Sequence, residues 1–312
     1  MSETFAEIIG GLGFPEGPVW MPDGSILIVE LAAGTVCRVS PGGQKQVIAT
    51  PGGSPNGAAL GPDGYLYVCN SGGFTWARRD GLLWPTGTPD DYSGGRIERV
   101  NIETGKVERL YETCNGHPLS GPNDIVFDAH GGFWFSDHGK RRARHVECGG
   151  LYYAKADGSL IREVVYPLVT ANGVGLSPDG RTVYVAETDT GHIWAWDIMA
   201  PGTIARDGLL PGRHLAGAPG FKAWDSMAVT RDGTLHIASL FNGGITSISP
   251  LGADLGFLPL PDPLTTNICF DAAEHHAFVT LSGSGRLVKV NWRKRQTSRW
   301  LSNGRGRQKI DR

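Results

Sequence analysis

Hydrophobic and polar residues follow one short pattern at six places along the 312-residue chain. Each copy begins with a polar residue, continues with three or four mostly apolar residues, turns at an Asp- and Gly-rich triplet and ends in alternating apolar and polar positions. The apolar run predicts a short buried strand, and the alternation predicts a second strand that returns from the turn. The copies begin at these leading residues: Glu16, Asn56, Asn123, Asn172, Asp225 and Thr266.

Further strand-like segments follow each copy, for example TVCRVS and KQVIAT after the first. Four strands per copy are typical of a β-propeller blade. The leading residues are separated by 40, 67, 49, 53 and 41 positions, close to a blade period of roughly 40–50 residues. We therefore predict an all-β fold, a six-bladed β-propeller with four-stranded antiparallel blades, in which residues 1–312 form one domain. The segment Thr4–Ile9 should pair with the final blade, 266–301, and close the ring of blades.

Composition agrees with this fold and narrows the class of protein. The chain has 46 Gly and 20 Pro, which suit many tight turns, and 40% hydrophobic residues, which argues against disorder. Basic and acidic residues nearly cancel to a net charge of −2, so nothing in the charge favours nucleic acid or an anionic membrane as a partner. The oligomeric state is left open by the sequence.

The cysteines and the N-terminal residues bear on the compartment. Five cysteines are an odd number without close spacing, which argues against a disulfide framework. The first residues lack the basic and apolar regions of a signal peptide, and no apolar stretch approaches the length of a membrane span. We expect a cytoplasmic protein.

Three insertions interrupt the repeat, at residues 71–94, 138–149 and 199–223. The first carries four aromatic residues: Phe74, Trp76, Trp84 and Tyr92. The second is strongly basic, and the third is rich in Pro and Gly. The first two should emerge on the face of the leading residues, where loops often supply substrate contacts. The insertion at 71–94 is either a wall over a substrate or a self-packed loop, and the basic segment is either a substrate contact or a solvated charge run.

The leading residues should form one ring, because a repeat places the same position of every blade at the same level. They offer only oxygen donors, which argues against a zinc site of the common N/S kind. The carboxylates of Glu16 and Asp225 with the amides of Asn123 and Asn172 suit Ca²⁺ first, then Mg²⁺ or Mn²⁺, with Zn²⁺ a less favoured candidate. The alternative is that these side chains bond to backbone groups at the starts of the strands.

A second set of polar residues ends the returning strands, fourteen or fifteen positions after the leading residues. Its members are Glu30, Asn70, Asp137, Glu187, Ser239 and Thr280. They either form a second layer around the same mouth or are polar because strand ends meet solvent.

Five motifs resemble the senescence marker protein/gluconolactonase/luciferin-regenerating enzyme family. They are EGPVW at 16–20, PND at 122–124, ANGVGLSPDG at 171–180, WDSMAV at 224–229 and TNICF at 266–270. The resemblance covers nearly the whole chain and implies a six-bladed, calcium-centred hydrolase. It implies metal ligation by Glu16, Asn172 and Asp225. It also implies a metal or substrate contact at Asn123 and a catalytic role for Asp124.

The function we expect from these residues is hydrolysis of a small-molecule lactone or related ester. A divalent cation in the central channel would polarise the carbonyl, and Asp124 or Asp225 would take the proton of the attacking water. The expected substrate contacts are Asn123, Asn56, Trp76, Trp84 and Arg141. No G-x-S-x-G elbow occurs, which argues against a serine nucleophile.

One departure from the family bears on the substrate. Sugar-lactonase members of the family often carry an Arg two residues before the asparagine of the PND motif, where this chain has Gly121. With the aromatic insertion, this predicts a substrate that has an apolar or aromatic portion. Two alternatives stay open: an organophosphate or activated-ester hydrolase on the same metal site, and a non-catalytic propeller that binds a ligand or partner.

Overall fold

A computed structural model describes residues 5–206, 208, 211–220 and 222–292 of the chain. Over these residues the secondary structure consists of strands and turns, and no helix occurs that is long and apolar enough to cross a bilayer. Six sheets of four or more antiparallel strands form a β-propeller, which confirms the predicted fold class. The five cysteines are all free thiols.

The first three blades follow the repeat closely, after an initial strand β1 (Phe5–Ile9). Blade 1 consists of β2 (Pro15–Trp20), β3 (Ile26–Glu30), β4 (Thr35–Val39) and β5 (Lys45–Ala49). The next elements in the chain are β6 (Pro55–Leu60), β7 (Leu66–Asn70), β8 (Thr75–Arg79), β9 (Leu82–Gly87), β10 (Arg96–Val100), β11 (Val107–Tyr111), β12 (Thr113–Cys114) and β13 (His117–Pro118). Of these, β6, β7, β10 and β11 form blade 2, while β8–β9 and β12–β13 are separate hairpins. Blade 3 consists of β14 (Pro122–Phe127), β15 (Gly132–Asp137), β16 (Gly149–Lys155) and β17 (Ile161–Leu168).

The last three blades complete the propeller. Blade 4 consists of β18 (Ala171–Leu176), β19 (Thr182–Glu187), β20 (His192–Ala200), β21 (Thr203–Ile204) and β22 (Arg213–Gly217), of which the last two both pair with β20. Blade 5 consists of β23 (Ala223–Val229), β24 (Leu235–Leu240), β25 (Gly244–Ile248) and β26 (Asp254–Pro259). Blade 6 contains β27 (Thr265–Phe270), β28 (His276–Leu281) and β29 (Arg286–Asn291).

Strand β1 supplies the fourth strand of blade 6 by pairing antiparallel with β29. The predicted closure by the N-terminal segment is confirmed for Phe5–Ile9, while Thr4 and residues 293–301 lie outside the described residues. The six innermost strands contact one another in sequence, from β2 through β6, β14, β18, β23 and β27 back to β2. They therefore enclose one central channel.

Every innermost strand carries an irregularity in its pairing at the leading residue. The pairing with the second strand shifts between these residues: Glu16 and Val19, Pro55 and Ala58, Pro122 and Ile125, Ala171 and Val174, Trp224 and Met227, Thr265 and Asn267. A bulge bends the strand and changes the direction of a side chain. The same local distortion in all six blades explains why the leading side chains turn into the channel.

Glycine after the leading residue lets neighbouring innermost strands approach closely. A Cβ atom on Gly57 would stand 2.3 Å from the backbone oxygen of Asn123, and one on Gly173 would stand 2.6 Å from that of Asp225. A side chain at either position would force the strands apart. Outside the channel, apolar side chains fill the space between blades. Trp134 and Leu151 of blade 3, for example, belong to the same buried cluster as Val185 and Trp194 of blade 4.

Candidate functional site

The six leading residues line a single cavity of about 200 Å³ in the channel. Glu16, Asn123, Asn172 and Asp225, predicted to meet at one end of the channel, are all buried there. Asn56 and Thr266 complete the ring. The structure thus brings together residues that lie up to 250 positions apart in the chain (266 − 16). The ring contains two carboxylates, three amides and a hydroxyl.

The negative charges of the two ring carboxylates, Glu16 and Asp225, are only partly offset by hydrogen bonds. Glu16 accepts hydrogen bonds at Oε2 from the backbone N–H of Gly17 (2.8 Å) and from Nδ2 of Asn267 (2.7 Å), yet burial raises its pKa. Burial raises the pKa of Asp225 well above its usual value, and the negative charge of Glu16 raises it further. Two buried carboxylates that repel each other are favourable sites for a cation.

The amide oxygens of Asn172 and Asn123 have a weak partner or none, since Oδ1 of Asn172 accepts a long hydrogen bond of 3.5 Å from Oγ of Ser226. Asn172 donates from Nδ2 to Oγ1 of Thr188 at 3.0 Å, which fixes the orientation of the amide. The Oδ1 atom of Asn123 is buried and accepts no hydrogen bond from any described residue. A buried acceptor without a partner is rare in folded proteins and calls for a ligand, an ion or water. The donor set therefore fits a hard divalent cation.

The ring supplies two carboxylates for such an ion, and the third carboxylate that lines the cavity, on Asp189, is paired with Arg141. Among the described residues, no group of three or more His, Cys, Asp and Glu side chains is placed to hold a metal. A cation in this cavity would therefore depend on amide oxygens as well as on the carboxylates of Glu16 and Asp225.

Asp124 lies below the ring and does not line the cavity. It belongs to a second cavity, of about 240 Å³, that is lined by later residues of the same innermost strands. Its carboxylate accepts hydrogen bonds from the backbone N–H groups of Val174 (3.1 Å) and Ile125 (3.0 Å). Burial is the main cause that raises its pKa to about 7. Asp124 thus joins the innermost strands of blades 3 and 4 beneath Asn123 and Asn172.

The insertion at 71–94 forms the hairpin β8–β9 and reaches the cavity through Phe74 and Pro85. Trp76 and Trp84, predicted as substrate contacts, are not among the lining residues. Trp76 packs behind the wall, with ring centroids 5.0 Å from Phe14 and 5.9 Å from Phe74. Both tryptophans join the apolar cluster of blades 1 and 2. The insertion therefore combines both predicted readings, since it has a packed core of its own and gives the cavity a wall.

The basic insertion at 138–149 brings Arg141 to the cavity, as predicted, together with His138. Arg141 forms an ion pair with Asp189 of blade 4 at 2.6 Å, and both side chains are largely exposed. Burial lowers the pKa of His138 to about 4, so its imidazole is neutral at neutral pH. The described part of the third insertion, 199–223, contributes no residue to the cavity.

The polar ends of the returning strands do not form a second layer of the cavity. They hold the segments that lead into the innermost strands: Glu30 accepts from Gly13 N–H, Asp137 from Ser120 and Gly121 N–H, and Glu187 from Val169 N–H. Neither predicted interpretation holds, because these six side chains are buried away from solvent and do not line the cavity. Asn70 likewise accepts from Ser54 N–H, whereas Ser239 and Thr280 bond to the hydroxyls of Thr246 (2.7 Å) and Thr266 (2.9 Å).

The residue that follows the polar strand end lines the cavity in four blades. These residues are Leu31, His138, Thr188 and Leu240. The repeat thus marks a second lining position, one residue beyond the polar strand ends, which the sequence prediction did not use. Asp189, Leu264 and Phe14 were also missed, since they lie outside the repeated positions.

Gly121 has no room for a side chain. A Cβ atom there would stand 2.6 Å from the backbone oxygen of Gly139. The backbone of the basic insertion therefore occupies the place into which a longer residue at this position would extend.

Comparisons with known proteins agree with the fold. A sequence profile of the SMP-30/Gluconolactonase/LRE-like region matches residues 14–283. A lactonase, drp35, from Staphylococcus saprophyticus is 27% identical over 249 residues, which cover 79% of this chain and 69% of the relative. A solved gluconolactonase from Xanthomonas campestris gives a TM-score of 0.73 at 23% identity, covering 92% of this chain and 89% of that chain. The calcium-binding protein regucalcin from Agrobacterium tumefaciens gives a TM-score of 0.72 at 17% identity, covering 92% and 94%.

Proposed function

Since the chain belongs to the SMP-30/gluconolactonase/LRE-like family, as its motifs predicted, we propose that it hydrolyses a lactone or related ester in the cavity of the leading ring. The observation that carries this proposal is the convergence of all six leading residues on one cavity. The name of the lactonase from Staphylococcus saprophyticus supports the same reaction class.

The residues that would hold a divalent cation are Glu16, Asn123, Asn172 and Asp225. Two buried carboxylates, together with the unpartnered Oδ1 of Asn123, support this assignment, and Ca²⁺ suits such an all-oxygen donor set best. When bound, the cation supplies Lewis-acid polarisation of the substrate carbonyl and orients the ester.

Asp225 is the residue we assign as general base. Its carboxylate lines the cavity, and a carboxylate oxygen that does not contact the cation would accept the proton of the attacking water. It takes a proton from water as the water oxygen bonds to the carbonyl carbon. The bond from that carbon to the ring oxygen then breaks, and the proton passes to the departing oxygen. His138 is a weak base by comparison, because its pKa is lowered to about 4.

Asp124 acts as a positioning residue in this scheme rather than as a base. Its carboxylate oxygens accept backbone N–H groups of two strands, and the side chain lies outside the cavity. Asn56, Asn123 and Arg141 are the polar side chains that hold the substrate in the cavity.

A pH-indicator assay tests the proposal. Metal-free protein is offered gluconolactone, δ-valerolactone, a phosphotriester and an aryl ester, each with and without Ca²⁺. The proposal predicts acid release from at least one lactone, dependent on the added metal, and its loss in Asp225→Asn. Turnover of the phosphotriester in preference to every lactone would favour an organophosphate hydrolase. Inertness toward all four substrates would favour a non-catalytic binding propeller.

A further inference from the structure

Above the leading ring, the wall of the cavity is apolar on one side and polar on the other. Blades 5, 6, 1 and 2, with the segments that lead into them, contribute the apolar residues Leu240, Leu264, Phe14, Leu31, Phe74 and Pro85. Blades 3 and 4 contribute the polar residues His138, Arg141, Thr188 and Asp189. Because blades 5, 6, 1 and 2 are consecutive around the propeller, the apolar residues form one continuous arc, called here the apolar arc.

We propose that the substrate is a lactone or related ester with an alkyl or aryl arm, and that this arm lies against the apolar arc, with Phe74 as the residue that selects it. This assignment rests on the proposed hydrolysis in the same cavity. An arm placed there removes apolar surface of both partners from water, which stabilises the complex. An arm on the opposite side would cover the ion pair of Arg141 and Asp189 without replacing its water, which is unfavourable.

Phe74 is held in place from behind by a buried lysine. The Nζ atom of Lys140 donates to the backbone oxygen of Gly73 at 3.0 Å and lies 4.3 Å from the ring centroid of Phe74. It also lies 5.1 Å from the ring centroid of Tyr92. Only 3% of Lys140 is exposed, so these contacts are made away from water, where a cation–π contact is strongest. Lys140 is therefore a positioning residue for Phe74.

The hairpin that carries Phe74 is also fixed to the scaffold on its other side. Trp76 packs on Phe14, and the backbone N–H of Leu83 donates to the oxygen of Gly283 at 2.8 Å. Phe74 is thus part of a rigid wall, and a rigid apolar wall discriminates between substrates by the apolar contact they can make.

The test compares two lactones with the same six-membered ring. δ-Decalactone carries a pentyl arm, and δ-valerolactone carries none. With Ca²⁺ present, the ratio of kcat/KM for the two should favour δ-decalactone in the wild type and fall roughly tenfold or more in Phe74→Ala. Phe74→Leu keeps an apolar side chain and should retain most of the preference, which separates loss of the wall from loss of the fold.

Phe257→Ala is the matched control. Phe257 is also partly buried and has a lysine over its ring, with Nζ of Lys222 5.5 Å from the centroid, but it lies in β26 and does not line the cavity. This variant should leave the ratio unchanged.

Lys140→Met should raise KM for δ-decalactone more than it lowers kcat, whereas a purely structural defect would lower the activity on both lactones alike.

The outcomes separate this assignment from the proposed function. If the wild type hydrolyses gluconolactone or δ-valerolactone in preference to δ-decalactone, and Phe74→Ala does not move the ratio, the assignment of the arm is wrong while the hydrolysis stands. If the metal-loaded protein hydrolyses none of the three lactones, both are wrong.

Discussion

At the scale of single residues, a leading side chain and its successor have different tasks. The bulge in each innermost strand turns the leading residue into the cavity, and the next position lies toward the second cavity beneath it, which Gly17, Asp124 and Asn267 line. That next position is Gly in blades 1, 2 and 4 and Asp124, Ser226 or Asn267 in the others. Asn267 shows the consequence, since its Nδ2 atom supports the carboxylate of Glu16 from below.

Asp225→Asn is predicted to change stability in opposite directions with and without metal. In metal-free protein the substitution removes a buried charge that Glu16 repels, so the free energy of unfolding should rise by on the order of 1 kcal/mol. With Ca²⁺ it removes one of two ligand charges, so affinity should fall roughly tenfold or more. Thermal unfolding with chelator and with Ca²⁺ measures both changes.

Asp197→Asn serves as the control for this pair of measurements, since Asp197 is exposed on β20 of blade 4. It should leave both melting temperatures as they are in the wild type. A fall in the stability of metal-free Asp225→Asn would contradict the account, because it would mean that the carboxylate makes a net favourable contribution without a cation.

The residues of the ring could be predicted because they share one polar position of the repeat. The residues of the apolar arc could not. Glu16 and Asp225 are polar among apolar neighbours, so their shared place in the repeat is visible in the sequence. Leu31 and Leu240 also occupy a repeated position, but leucine at the end of a buried strand is indistinguishable from core. The sequence therefore predicted the polar floor of the cavity and missed most of its apolar wall.

At the scale of elements, the insertion at 71–94 is tied to the basic insertion through one buried ammonium group, that of Lys140. Burial lowers the pKa of Lys140 from its usual 10.5 to about 8. Between pH 8 and 10.5 the unfolded chain therefore binds more protons at this residue than the folded chain, so its contribution to stability rises with pH in that window.

Lys140→Met should remove this dependence on pH. From pH 8 to 10.5 the wild type should gain about 1–3 kcal/mol of unfolding free energy relative to the variant. Urea unfolding at several pH values measures the unfolding free energies of both proteins. Taking the difference between wild type and variant cancels the contributions of tyrosines and cysteines that titrate in the same pH range. Parallel curves for the two proteins would show that Lys140 does not titrate with a lowered pKa.

Strand β1 is predicted to stabilise the whole propeller because it covers the edge of β29. Deletion of residues 1–9 would expose the backbone of β29 and the buried side chains of Leu287 and Val290. The melting temperature should fall by several degrees, at roughly 2 °C for each kcal/mol lost. Glu7→Ala keeps the strand and should cost little. An unchanged melting temperature after the deletion would mean that β1 adds no stability to blade 6.

The sequence predicted the existence of the strands well. It did not predict which of their side chains face the cavity. Alternation and turn residues marked the strands, and the need to cover an edge marked β1. The aromatic residues of the hairpin could not be assigned to a face, because their number does not reveal which pack against the scaffold. Trp76 packs in the apolar cluster of Phe14 and Leu264, which come from segments distant in the chain. Phe74 lies in the cavity wall.

At the scale of the whole molecule, closure of six blades holds together side chains that no local element could bring near each other. Glu16 and Asn267 lie 251 positions apart, yet they share a hydrogen bond of 2.7 Å because blade 6 returns to blade 1. The site is therefore a property of the closed propeller, and its rigidity comes from the contacts between neighbouring innermost strands.

The central claim is that the leading ring binds a divalent cation on which lactone hydrolysis depends. The most direct measurement follows the bound metal by elemental analysis and the rate of lactone hydrolysis in the same samples, as chelator removes Ca²⁺ and a second titration restores it. The account predicts that rate and bound metal fall and recover together, with one cation per active chain and a higher melting temperature when it is bound. Full lactonase activity and an unchanged melting temperature in protein shown to be metal-free would contradict it.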